Sequence, residues 1–104
     1  MPDFQFKFEW DPRKALSNLA KHGVAFAQAA TVLLDPLASS VPDDEHSEGE
    51  RRWVTLGLST SGQLLIVIHT FDEAAEDFAA VRIISARSAT PSEMRDYEEG
   101  TNEG

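Results

Sequence analysis

The chain has 104 residues and no cysteine, and nine basic residues against eighteen acidic ones give a formal charge of −9. This is the length of a single domain, and its 41% hydrophobic and 26% charged content is that of a folded globule rather than a disordered chain. Disulfides, thiolate catalysis and Cys-ligated zinc are excluded, no apolar run approaches the ~18 residues of a spanning helix, and the start MPDFQFKFEWD lacks the basic-then-apolar pattern of a secretory signal, so the expectation is one cytoplasmic domain over 1–104.

Residues 4–10 alternate, with Phe4, Phe6, Phe8 and Trp10 on one face and Gln5, Lys7 and Glu9 on the other, the pattern of a half-buried strand. Asp11-Pro12 reads as helix cap plus first helical residue, and the helix is expected to stop at Gly23, which tolerates the left-handed conformation. Ala15, Leu16, Leu19 and Ala20 are its expected apolar positions. Lys14, Asn18, Lys21 and His22 form its polar stripe. A second helix is expected over Phe26–Leu34, entered from Ala25 and stopped by Pro36, and residues 35–50 read as an acidic loop.

Three strands are expected next, Arg52–Ser59, Leu64–Thr70 and Val81–Arg87. Ser61-Gly62 turns the first pair, and the acidic connection 72–79 includes a helical turn. LLIVIHT (64–70) is apolar on both faces, as suits a central strand. Thr90-Pro91-Ser92-Glu93 is a capping box with proline at the first helical position. It opens a helix expected from Pro91 to Glu99, with a frayed tail over 100–104. The order β-α-α-β-β-β-α gives an α+β class: a small single domain with a mainly antiparallel four-stranded sheet and about three helices.

Thirteen of the eighteen acids fall in 43–50, 72–77 and 96–103, so the rest of the chain carries +4. A local basic surface is therefore compatible with an acidic protein, and acidic loops also serve solubility. Nucleotide-cradling glycine loops and the GxSxG elbow are missing. His22, His46 and His69 lack helical metal spacing, and a calcium loop counted from Asp43 has Glu48 where glycine is required. No metal or cofactor is expected.

What remains is a set of cations near polar groups: Lys21, His22, Arg51, Arg52, His69, Arg82, Arg87 and Tyr97. Arg82 and Arg87 interrupt apolar strand sequence. Each either pairs with a carboxylate, reaches solvent at an edge, or helps bind a phosphate bidentately. Five residues apart, they share a face only if the strand bulges or ends near Ser85. His22 titrates near neutrality but also suits a helix C-terminus, as does Lys21. Tyr97 either positions substrate or packs the last helix, and His69 reads as a satisfied core histidine.

The ordered string FEWDPRKALSNLAKHGVAFAQAATVLLDP, HSEGERRWVTLG, GQLLIVIHT and RIISARSAT with a later YEE resembles the BrnT family, toxins of type II toxin–antitoxin systems, over residues 6–99. The resemblance implies a RelE-like ribonuclease fold that cleaves RNA without metal. It also implies a BrnA-type antitoxin with a ribbon-helix-helix domain, through which alone the complex meets DNA. The matching positions make Arg52, Arg82, Arg87, His22 and Tyr97 the expected catalytic set, and Lys21, Arg51 and Arg95 the expected RNA contacts. The last helix, basic only at Arg95, leaves a rival reading: a catalytically weak antitoxin-binding protein that mainly co-represses transcription.

Overall fold

The computed structural model describes residues 5–46 and 49–103. The expected Phe4 and the 47–48 part of the acidic loop lie outside them. Strand β1 (Gln5–Glu9) leads into helices α1 (Pro12–His22) and α2 (Phe26–Ala30), then strands β2 (Ser39–Pro42), β3 (Arg52–Leu58), β4 (Leu64–Thr70), β5 (Asp72–Ala75) and β6 (Phe78–Ser88), and helix α3 (Pro91–Glu103).

The class is α+β, but the sheet is not four-stranded and antiparallel. It is a mixed sheet of six strands in the order β1-β6-β4-β3-β2, with β5 paired to β6 and β1 parallel to β6. The acidic connection after Thr70 is a hairpin, β5 returning into β6, not a helical turn. The second helix ends at Ala30 and tightens into a 3₁₀ turn over Thr31–Leu34. The loop 35–50 includes β2 and a short 3₁₀ turn at Asp44–His46. The last helix passes Glu99 and runs to Glu103, with Gly104 outside the described residues.

β4 sits at the centre of the sheet, as its two-sided apolar sequence predicts. Leu65 and Val67 point to one side, where Val24, Phe26, Ala29 and Val32 pack with Val81, Ile83 and Ala86 of β6. Phe6, Phe8 and Trp10 extend this core, so the alternating reading of β1 holds over the described residues. Gly57 of β3 lies directly under the 3₁₀ turn. A Cβ there would meet Val32 Cγ1 at 2.8 Å and Ala38 Cβ at 2.9 Å, so only glycine lets the turn approach this closely.

α1 starts and ends as predicted. The Asp11 side chain accepts from Arg13 N, and Gly23 closes the helix at φ 70° with its N–H donating to Leu19 O. Its faces follow the expectation in part: Ala15 packs on the core and Lys14, Lys21 and His22 are exposed, but the leucines and Asn18 depart from it. Leu16 and Leu19 are 69% and 48% exposed, and Asn18 is the buried residue at 6%. The reason is backbone satisfaction. β1 pairs with β6 only as far as Arg82, which leaves the β6 edge beyond it without a strand. Asn18 takes the place of one. Its Nδ2 donates to Ala86 O and Val24 O, both at 2.9 Å, and its Oδ1 accepts from Ala86 N at 3.1 Å. A buried N–H and C=O left unpaired would each cost about 1–3 kcal/mol, a penalty that the Asn18 amide avoids.

Asn18→Leu strands the Ala86 N–H and C=O, and a loss of about 3 kcal/mol with a melting temperature lowered by roughly 15 °C is expected. Ser17→Ala, one residue away and exposed, leaves the urea midpoint unchanged.

Candidate active site

The β4–β6 ladder shifts register at the point where the two sheet arginines diverge in a regular strand. Ile68 faces Ser85 but His69 faces Ile83, so Ile84 is an extra residue. This bulge restores parity. Arg82, between core residues Val81 and Ile83, and Arg87, beside core residue Ala86, both point away from the helices α1 and α2.

Arg52 joins them on that outward face. It is cross-strand to Thr70, and the backbone N–H of Arg82 donates to Thr70 Oγ1 at 3.1 Å. Arg52, Thr70 and Arg82 thus form a row across three strands. With strands ~4.8 Å apart, the two arginine backbones stand about 10 Å from one another, close enough for both guanidinium groups to reach one phosphate. Glu50, two residues before Arg52, ion-pairs with Arg82. Glu9 is beside Arg82 in the β1 register. The row therefore sets the Arg82–Glu50 ion pair beside the strand position of a second arginine, Arg52.

Arg87 is on the same face but committed to α3. Its Nη1 and Nη2 donate to Glu93 Oε1 and Oε2 at 2.8 and 2.9 Å. The predicted capping box is present around this pair: Thr90 N donates to Glu93 Oε1 and Glu93 N to Thr90 Oγ1. The Arg87 hydrogen bonds, helped by the Thr90 backbone, hold the Glu93 carboxyl down at about 2 against the opposing effect of burial.

The other predicted residues sit elsewhere. Arg51 has the opposite parity to Arg52, stacks over the Trp53 ring at 5.3 Å and approaches Asp44 at 3.9 Å. Lys21 and His22 line a polar hollow of about 180 Å³ between α1 and the bulge, with Lys14, Ser17 and Ser85, and no arginine lines it. Arg95 is exposed on α3. The Tyr97 hydroxyl donates to Asp35 Oδ2 at 2.7 Å. Burial and the Asp35 carboxylate push it up to about 12, out of range for a base at neutral pH. Burial would raise Asp35 as well, but the Leu58 and Leu37 N–H groups and the Tyr97 hydroxyl hold it below its ordinary value. His69 is a satisfied core histidine between Thr55 Oγ1 (2.6 Å) and Thr70 O (2.9 Å), and burial lowers its pKa. Among the described residues, no group of three or more His, Asp or Glu side chains is placed to hold a metal.

Sequence reasoning passed over Glu50, counting it only as loop charge. Its position directly before Arg51-Arg52 was the available signal.

A family model, together with a similar solved structure, places the chain among the small toxins of type II toxin–antitoxin systems. Among solved structures it is similar to the Brucella abortus ribonuclease toxin BrnT, at 27% identity over 83% of this chain and 99% of that one, with a TM-score of 0.59. The family model described as ribonuclease toxin, BrnT, of type II toxin–antitoxin system matches residues 10–93, and the chain belongs to that family. No curated protein sequence matches it.

The Glu93 carboxyl is held below its ordinary 4.5 in the folded state. Its contribution is therefore complete above that value and lost as pH falls towards 2. Arg87 is 41% exposed, so solvent screens the pair, and about 1 kcal/mol at neutral pH is expected. Glu93→Gln, which keeps the capping box, should lower the urea midpoint at pH 7 and lose less stability than the parent between pH 5 and 2.5.

Proposed function

We propose that the chain is a metal-independent endoribonuclease of the RelE-like kind, restrained by a BrnA-type ribbon-helix-helix antitoxin that also supplies the contact with DNA. The observation that carries the nuclease reading is the outward row in which Arg52 and Arg82 flank Thr70 with Glu50 on Arg82.

The chemistry follows from the row. A scissile phosphate takes bidentate hydrogen bonds from Arg52 and Arg82. Glu50, displaced from Arg82 by the phosphate, accepts the proton of the ribose 2′-OH. The 2′-oxygen forms its bond to phosphorus, negative charge builds on the equatorial oxygens, and the guanidinium groups stabilise that charge where a metal would otherwise do so. The bond from phosphorus to the 5′-oxygen breaks, leaving a 2′,3′-cyclic phosphate. The 5′-oxygen leaves as a hydroxyl with a proton from solvent, since no histidine or tyrosine among the described residues belongs to the row.

A second reading, the catalytically weak co-repressor, has one observation in its favour. Arg82 and Arg87 each already hold a carboxylate, on a chain of net charge −9. RNA then has to compete with Glu50 for its main anchor.

Purified toxin, free of antitoxin, is expected to cleave RNA in EDTA and to leave a 2′-deoxy-substituted strand intact. Arg82→Ala and Glu50→Gln should each lower the single-turnover rate by about 10²–10³. Intact RNA at high protein excess, with antitoxin binding retained, supports the co-repressor reading. Cleavage by Arg82→Ala at the parent rate removes the row from the mechanism.

A further inference from the structure

We propose that the outward face of α1 is the surface on which the antitoxin docks, and that the antitoxin meets it with an apolar segment flanked by carboxylates. The inference depends on membership of a toxin–antitoxin family for the existence of the partner, and not on the nuclease reading.

The first observation is the pair of exposed leucines on α1. α1 is amphipathic, yet the side that carries Asn18 is used inside the molecule and its leucines face out. Leu16 is the most exposed large apolar side chain among the described residues. It does not stand alone. Trp10, Pro12, Leu16, Leu19, Phe26 and Ala27 line an open apolar groove of about 420 Å³ between α1 and α2. A contiguous apolar groove of this kind on a small domain marks an interaction surface more often than a scattered exposed leucine does.

The second observation is charge. Arg51, Arg82 and Arg87 of the sheet each pair with a carboxylate of this chain. On α1, Arg13, Lys14 and Lys21 are exposed and have no side-chain partner among the described residues. On a helix of 100° per residue, Arg13 borders the Leu16 side of the apolar stripe, and Lys21 and Lys14 follow beyond it. An otherwise acidic protein thus offers one helix that is half apolar and half cationic. A partner segment laid along α1 fills the groove with apolar side chains and sets its carboxylates against these cations. The antitoxin, the partner that membership of this family implies, is the occupant to which the groove and its cationic border are assigned, and a second copy of this chain is an outcome of the test.

The test uses the full-length toxin and the antitoxin encoded beside it, with affinity read by calorimetry and RNA cleavage and sedimentation measured in parallel. Leu16→Ser/Leu19→Ser is expected to weaken antitoxin binding about 100-fold. Both side chains are exposed, so its melting temperature and RNA cleavage should stay at the parent level. Arg13→Glu/Lys21→Glu should weaken binding about tenfold, with a reduced dependence on salt. Val41→Ser, an exposed apolar residue on β2, should stay within about twofold. Parent-level affinity in both α1 variants overturns the proposal. So does a toxin homodimer that the leucine variant dissociates while antitoxin affinity stays unchanged. Loss of RNA binding in the charge variant at unchanged antitoxin affinity assigns the face to RNA and overturns it as well. Antitoxin binding that follows the expected pattern in a toxin without RNase activity sustains the docking surface and removes the nuclease reading alone.

Discussion

One side-chain amide organises much of this small fold. β6 is longer than its parallel neighbour β1, so its edge beyond Arg82 needs hydrogen-bond partners that no strand supplies. Asn18 supplies them from α1, holding both the N–H and the C=O of Ala86 and tying Val24, just past the helix, to the same point. Three consequences follow. α1 is fixed with Asn18 and Ala15 inward, Leu16 and Leu19 are left largely to solvent, and the polar hollow with Lys14, Lys21 and His22 forms where the helix crosses the bulged strand.

The bulge is the second constraint. One unpaired residue, Ile84, places Arg82 and Arg87 on the same outward face. From there the two diverge in use. Arg87 and Glu93 join β6 to the start of α3, while Tyr97 and Asp35 tie the middle of that helix to the segment before β2. Arg82 shares the Thr70 row with Arg52 and keeps the Glu50 carboxylate. The same residue type thus serves as a structural clamp at one position and, in the proposed mechanism, as the anion receptor at the other, according to which carboxylate it faces. The Arg87 clamp is bidentate and reinforced by the Thr90 cap, whereas Glu50 comes from an exposed segment.

The sequence made the local features legible. Alternation over Phe6, Phe8 and Trp10, the Asp11-Pro12 start, the Gly23 stop and the Thr90–Glu93 box depend on neighbours within a few residues, and the structure contains each of them. The resemblance to BrnT named the family, which the family model bears out. Non-local features were hidden. DEAA at 72–75 has weak strand propensity and becomes β5 only because β6 is present to pair with it. The parallel β1–β6 pairing joins strands about seventy residues apart. On α1, Ala15 was legible as an inward position, but Asn18 was not, because it is buried to pair the β6 edge, which no hydropathy count reflects. Of the candidate site, the arginines were legible from their odd placement in apolar strands. Glu50 was not, because in a sequence it is one more acid in an acidic loop.

In the proposed mechanism the outward row, and not the hollow beside α1, receives the scissile phosphate. A crystal structure of the toxin with a short 2′-O-methylated RNA tests this directly. A phosphate is expected within hydrogen-bond distance, ~3 Å, of both the Arg52 and Arg82 guanidinium groups, with Glu50 turned to the 2′-oxygen. A backbone phosphate seated instead among Lys14, Lys21 and His22, with Arg82 still on Glu50, contradicts it.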